Sequence, residues 1–258
     1  MKGADAALTF RNHPLTVLAP EKAPRLIMTP EERVAAIKAC GVRDVTVLDF
    51  TREIAEMSAE DFLAQYLASS VSRLPSSVRC GANWRFGKGG VGDAGFLRSH
   101  GIAVEVVPYA EYSGERVSSS RIRAALEHGE VEDANAMLGR KFKVQGSRFE
   151  GKGLGKEIGY PTVNLQLSTS TSSLHLPFGV YEVEAEGRKA IANYGLAPTM
   201  GEQSWRQPIL EIHFLRCPPP PFHSTSVSFL RFIRPERRFD SVQDLQRQIA
   251  ADCATITA

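Results

Sequence analysis

The run Gly151 to Leu167, GKGLGKEIGYPTVNLQL, concentrates residue types that handle phosphate. Gly151, Gly153 and Gly155 stand at alternate positions ahead of Lys156, and Pro161-Thr162-Val163-Asn164 follows. Glycine lets a backbone turn sharply and approach a ligand closely. Successive exposed N–H groups in such a loop form an anion-binding concavity, and Lys156 adds a mobile positive charge. Proline stiffens the entry into a strand. Thr162 and Asn164, two apart on that strand, share a face. A hydroxyl and an amide carbonyl side by side are the oxygen ligands that Mg²⁺ accepts. The spacing is neither that of a P-loop nor that of a G-x-G-x-x-G fingerprint. Taken alone, it is equally the spacing of a glycine-rich hairpin.

Two further stretches carry candidate chemistry. In ILEIHFL (209–215), alternation puts Glu211 and His213 opposite Leu210, Ile212 and Phe214. A glutamate there is either a general base for a hydroxyl or an ordinary solvated carboxylate. In VSSSRIRAAL (117–126), Ser118, Ser119, Arg121 and Arg123 gather hydroxyls, helix-start amides and guanidiniums. That set suits a triphosphate and equally suits a capped basic helix.

Composition sets the bounds. A length of 258 residues allows one large or two modest domains, and 43% hydrophobic residues suffice for real cores. With 31 basic against 29 acidic residues, no charge excess marks a nucleic-acid binder or a membrane-surface protein. No apolar run approaches a membrane span. MKGADAALTF is too short in apolar residues for a signal peptide. Cys40, Cys80, Cys217 and Cys253 have no metal-ligand spacing, so a reduced, cytoplasmic protein is expected.

The elements that must position these residues follow from local signals. AALTF (6–10) reads as a short buried strand. Thr29-Pro30 opens a helix that runs through Ala39 to Gly41. VTVLDF (45–50), Ser77–Cys80 and IAVEVV (102–107) read as strands, with a helix capped by Ser58 and Asp61 between the first two. A basic helix opens at Ser118–Ser120 and ends at Gly129. Alternating strands and helices imply a parallel sheet covered by helices. Near Leu138-Gly139 the rhythm changes to strands alone. Tyr181, Val183 and Ala185 alternate with Glu182, Glu184 and Glu186, a half-buried strand with a wet face. ILEIHFL and VSFLRFI (227–233) repeat the pattern. A last helix, capped by Ser241 and Asp244, carries Val242, Leu245 and Ile249 on one face. The expected domains are 1–137, α/β, and 138–258, a small antiparallel β-barrel with a C-terminal helix.

The run GxGLGKxIGYPTxN resembles the nucleotide-binding signature of riboflavin kinases, G-R-x-L-G-x-P-T-A-N, with Lys156 for the usual arginine and Val163 for alanine. Lysine keeps the charge without the two-pronged contact. ILEIHFL resembles that family's x-E-x-H/Y strand, FGVYEVEAEG its G-V-Y strand, and AIANYGLAPTMG its A-N-x-G-x-x-P-T turn. FIRPERRFDSVQDLQRQIAAD resembles its closing R-x-E-x-x-F and C-terminal helix. The Leu-Tyr-Gly turn usual before the VxFL strand is replaced by Pro218–Pro221 and Phe222-His223, near the expected flavin. The resemblance spans Leu138–Asp252. It implies ATP phosphates at Gly151, Gly153, Gly155 and Lys156, Mg²⁺ at Thr162 and Asn164, and Glu211 as base, with riboflavin accepting the phosphate to become FMN. His213 reads as an ordinary strand histidine.

The first half resembles the partner domain of bacterial FAD synthetases, a Rossmann-like nucleotidyltransferase. FRNHP (10–14) is similar to its F-D-P-H-P, GANWRFGKGGVGD (81–93) to its G-x-D-F-x-F-G segment with Asn83 for the acid, and VSSSRIRAAL to its S-S-T-x-I-R. Ser118, Ser119, Arg121 and Arg123 would then be a remnant nucleotide site. The family's H-x-G-H pair stabilises charge at the α-phosphate. No two of His13, His100, His128, His175, His213 and His223 stand three apart, and the first strand of that domain has no counterpart. The expectation is therefore a monomeric riboflavin kinase with a truncated adenylyltransferase half, making FMN but little FAD. The alternatives are a bifunctional riboflavin kinase and FMN adenylyltransferase whose true N-terminus is missing from this sequence, and a flavin- or nucleotide-binding protein without catalysis.

Overall fold

The computed structural model describes residues 4–68, 77–150, 154–167, 176–196, 208–215 and 221–257. Two compact units divide the chain, Met1–Glu111 and Tyr112–Ala258.

The first unit alternates strand and helix: β1 (Ala6–Phe10), α1 (Leu15–Leu18), α2 (Pro30–Ala39), β2 (Asp44–Leu48), α3 (Arg52–Glu56), α4 (Ala59–Phe62), β3 (Ser77–Gly81), α5 (Ala94–Ser99) and β4 (Ala103–Val107). Thr29 and Glu32 close a capping box around Pro30, so α2 starts where its sequence says it should. Strands β1 and β2 pair in parallel, and β3 and β4 do the same. The rhythm implied one sheet. Among the described residues these are two separately hydrogen-bonded pairs. One core nevertheless unites them. Leu8, Leu48, Val78 and Val104, one from each strand, pack around buried Phe62, Leu63, Phe86 and Leu97. AALTF is half-buried rather than buried, with Leu8 and Phe10 on its covered face.

Where the chain passes from the first unit to the second, a small hairpin, β5 (Glu111–Tyr112) and β6 (Glu115–Arg116), turns through Ser113 and Gly114, whose φ of 53° and 77° are those of a type I′ turn. Two helices follow, α6 (Ser119–Glu127) and α7 (Val131–Leu138). The strands β7 (Phe142–Phe149), β8 (Val163–Leu167), β9 (Gly179–Ala185), β10 (Arg188–Leu196), β11 (Pro208–Phe214) and β12 (Ser224–Pro235) close into an antiparallel barrel in the order β10-β11-β8-β7-β12-β9. A four-residue helix, α8 (Leu154–Glu157), interrupts the β7–β8 connection, and α9 (Val242–Thr257) ends the fold. Helix α7 is fastened to the barrel by Asn135. Its Nδ2 donates to the Phe229 carbonyl at 2.9 Å and its Oδ1 accepts from the Phe142 amide at 2.6 Å, at the last rung of the β7–β12 ladder.

Closure leaves no free sheet edge and turns alternate residues inward. Tyr181, Val183, Leu165, Leu210, Ile212 and Phe229 are fully buried, as alternation implies. Glu182 departs from its expected wet face. It is only 7% exposed and is held between Lys189 at 2.9 Å and Arg231 at 3.1 Å. Two register shifts in β12 against β9 flank Arg231 and precede Arg234; such bulges re-aim side chains. Arg234 clasps Asp252 of α9 through three hydrogen bonds of 2.7–3.1 Å, and Gln248 adds a fourth at 2.6 Å. Ser241 and Asp244 cap α9 as expected. Val242 is 51% exposed, so only Leu245 and Ile249 of the expected apolar face turn to the interior.

Asp252 is 3% exposed, so removing it strands a largely covered guanidinium. Breaking a buried pair from one side costs about 3 kcal/mol. Asp252→Ala is therefore expected to lower the urea stability of the barrel by about that much. A loss below about 1 kcal/mol would show that the clasp behaves as a surface pair.

Candidate functional site

A cavity of about 1000 Å³ lies on the outward face of β8, β11 and β10, where Leu245, Ile249 and Asp252 of α9 also line it. Its polar wall is a row across three strands. Asn193 of β10 stands opposite Glu211 of β11, and Glu211 stands opposite Asn164 of β8. All three line the cavity, together with Thr162 just before β8. The apolar wall is formed by Val180, Ile191, Ile209, Leu245 and Ile249. The sequence-predicted trio of Thr162, Asn164 and Glu211 is thus brought to one cavity from segments 45 residues or more apart.

Asn164 is the telling residue. It is 9% exposed, and its Oδ1 is buried without a hydrogen-bond partner. An orphaned buried acceptor is costly and rare in a native fold. An amide oxygen on a residue that lines the cavity, two positions along from the Thr162 hydroxyl, is the ligand type that a hard cation takes.

The glycines act differently from a simple cradle. Gly151 and Gly153 lie outside the described residues. Gly155 sits in α8, so the segment that reads as loop is one helical turn. Its role is close approach: a Cβ there would lie 2.5 Å from the Tyr160 carbonyl and 3.1 Å from Thr162 Oγ1. The Tyr160 amide donates to the Gly155 carbonyl at 2.7 Å, which draws the Pro161-Thr162 turn against the helix. Lys156 is exposed and is not among the residues that line the cavity.

Burial pushes the Glu211 carboxyl above the usual range, and the nearby Glu236 carboxylate adds to the effect. Glu236 is held by Asn193 Nδ2 at 3.2 Å. Arg237 and Arg238 also line the cavity, Arg237 lying 4.6 Å over the Phe239 ring. The signal for them was the basic run RPERR beside the closing motif, with nothing to say which arginines face inward. Arg234, in the same run, is taken up by Asp252.

The helix-start set behaves as a structural cap. Ser118 Oγ accepts from the Arg121 amide at 3.2 Å. The Arg121 guanidinium donates to the Tyr112 and Glu115 carbonyls, both at 2.9 Å, pairs with the Glu115 carboxylate at 3.3 Å and lies 5.7 Å over the Tyr112 ring. Arg121 therefore holds the β5–β6 hairpin. Ser119 is exposed in the first turn, and Arg123 is half-buried, with burial lowering its pKa ahead of the opposing pull of Glu127.

Comparison with known proteins defines a two-part flavin-nucleotide enzyme. Residues 2–121 match the family model described as FAD synthetase, and residues 138–258 match that described as riboflavin kinase. A bifunctional riboflavin kinase/FMN adenylyltransferase of Escherichia coli is 31% identical over 95% of this chain and 79% of the relative. One of Bacillus subtilis is 29% identical over 96% and 79%. The chain belongs to the bifunctional riboflavin kinase/FMN adenylyltransferase family. A solved structure described as a macrolide-efflux protein from Streptococcus pneumoniae superposes with a TM-score of 0.83 at 30% identity, covering 96% of this chain and 81% of that one. Family membership implies ATP and riboflavin as substrates. Among the described residues, no helix is long and apolar enough to cross a membrane.

A carboxyl whose pKa rises on folding holds its proton more tightly in the native state. Its charged form therefore costs stability, a cost that grows as pH rises from the unfolded value through the folded one. Without metal, Glu211→Gln is expected to melt above the parent protein at pH 8, with the gap closing below pH about 4. Equal melting temperatures at pH 8 would mean that Glu211 is well solvated.

Proposed function

We propose that this chain phosphorylates riboflavin with ATP in its barrel unit. The observation that carries this reading is the orphaned Asn164 Oδ1 set beside Glu211 in one cavity. Thr162 and Asn164 would hold Mg²⁺, which neutralises charge on the transferring phosphates. Gly155 and Lys156, with Gly151 and Gly153, would flank the ATP phosphates. Glu211 accepts the proton of the attacking riboflavin hydroxyl. Its raised proton affinity suits that task, since a general base works best with a pKa near the working pH. The apolar wall of Ile191, Ile209 and Leu245 offers a surface for a flat ring system. The kinase part is taken as residues 138–258, working as a cytoplasmic monomer without nucleic-acid or membrane partners.

A second reading is favoured by the comparisons: the chain also adenylylates FMN to FAD, residues 1–137 serving that step. The FAD synthetase match over residues 2–121 and the bifunctional relatives support it. They count against the expectation of little FAD that the missing histidine pair raised, and the bifunctional reading is accordingly preferred to a kinase alone. Ser118, Ser119, Arg121 and Arg123 are the residues proposed for its nucleotide, although Arg121 must then leave the hairpin carbonyls.

Thr162→Ala is expected to abolish FMN formation while the barrel stays folded. Glu211→Gln is expected to lower kcat by about 10² or more with ATP still bound. Near-normal turnover in either variant would remove that residue from the mechanism. Incubation with FMN, ATP and Mg²⁺ is expected to give FAD, and its absence would confine the activity to the barrel.

A further inference from the structure

Strand β11 holds β8 by regular pairing only as far as Ile212 opposite Val163. The next rung would set His213 against Thr162, and there the chain leaves the strand at Pro161, which has no N–H to offer a ladder. His213 bridges the break with its side chain. Its Nδ1 lies 3.0 Å from the Pro161 carbonyl. A carbonyl only accepts, so Nδ1 carries the hydrogen. The ring is set in place by Tyr160, which meets it edge-on at a centroid distance of 5.3 Å and an angle of 72°. Pro161 is bonded directly to Thr162, and His213 lines the same cavity as Thr162 and Asn164.

We propose that His213 is a positioning residue for the Thr162–Asn164 pair. Its ring N–H gives the Pro161 carbonyl a partner beyond the last rung and so fixes the turn that leads into Thr162. Asn164 is already fixed by pairing with Glu211, whereas Thr162, exposed and beyond the last rung, has two tethers. One is the close packing of Gly155 against its side chain, and the other is this hydrogen bond through Pro161. Without the second, the hydroxyl is free to swing away while the carbonyl stays. The inference rests on the reading of Thr162 and Asn164 as cation ligands.

The test is Mn²⁺ binding in the presence of ADP, read by electron paramagnetic resonance on the full chain, alongside FMN formation. His213→Phe keeps a ring against Tyr160 and removes the donor. His213→Asn keeps an N–H at the position of Nδ1. The apparent Mn²⁺ Kd should rise about 3- to 10-fold in His213→Phe, the size of one hydrogen bond, and kcat should fall with it. His213→Asn should return both to within about 2-fold of the parent, since it restores the same bond. His213→Ala gives the same comparison should the phenyl ring prevent folding. Parent-like Mn²⁺ binding in the donor-less variant, or an asparagine variant as weak as it, would overturn the proposal. Asn164→Ala separates the two levels. If it binds Mn²⁺ like the parent, the ligand reading falls and takes this inference with it. If it loses Mn²⁺ while His213→Phe does not, the positioning role alone is wrong.

Discussion

Closing six antiparallel strands into a barrel satisfies their backbone groups in one another, and the site depends on that closure. It allows a polar side chain to be buried unsatisfied on the outward face of β8, because neighbouring strands hold its backbone on both sides. Asn164 pairs with Glu211 on β11 and with Phe149 on β7, which fixes its backbone and the direction of its Cα–Cβ bond. The fold thus keeps a buried acceptor unsatisfied, at a cost of about 1–3 kcal/mol, at the residue proposed as an oxygen ligand. Glu211 adds a second cost on the same row, a carboxylate under cover beside another carboxylate. Local destabilisation of this kind concentrates at functional sites.

Clasps at the rim offset that cost. Arg234 and Asp252 hold α9 against the outward face of the barrel, Arg231 reaches the Thr255 carbonyl at 2.9 Å, and Gln246 Nε2 reaches the Ile158 carbonyl at 3.0 Å. The last of these ties α9 to the segment that carries the Pro161-Thr162 turn. Helix, turn and strand row therefore surround one cavity with apolar residues on one side and oxygens on the other. A flat aromatic substrate with a hydroxyl tail matches such a lining.

Local signals made much of this legible. Thr29-Pro30, Ser118 and Ser241 each cap the helix they announce, because capping is a contact between near neighbours. Alternation along 208–214 told inside from outside because that strand has one buried face, whereas 179–185 is covered on both. What escaped was long-range. Glu182 looks solvated by its period, yet Lys189 and Arg231 enclose it from two neighbouring strands. Arg234 and Asp252 are 18 residues apart with no pattern linking them. Gly155 reads as a flexible loop residue but is small because the Tyr160 carbonyl crowds it. Arg121 reads as phosphate-binding, whereas the hairpin carbonyls of Tyr112 and Glu115 occupy it. In the first unit, alternation of strand and helix gave the class correctly. It could not say that β1–β2 and β3–β4 would pair separately around a common core.

The account turns on a cation meeting Asn164 Oδ1. Crystals of this protein grown with Mn²⁺ and ADP, measured at the manganese absorption edge, test it most directly. The anomalous peak should lie about 2.1–2.2 Å from Asn164 Oδ1 and Thr162 Oγ1, as for a hard octahedral cation on oxygen ligands. A peak elsewhere in the cavity, with Asn164 Oδ1 still unpartnered or turned to a protein donor, would contradict it.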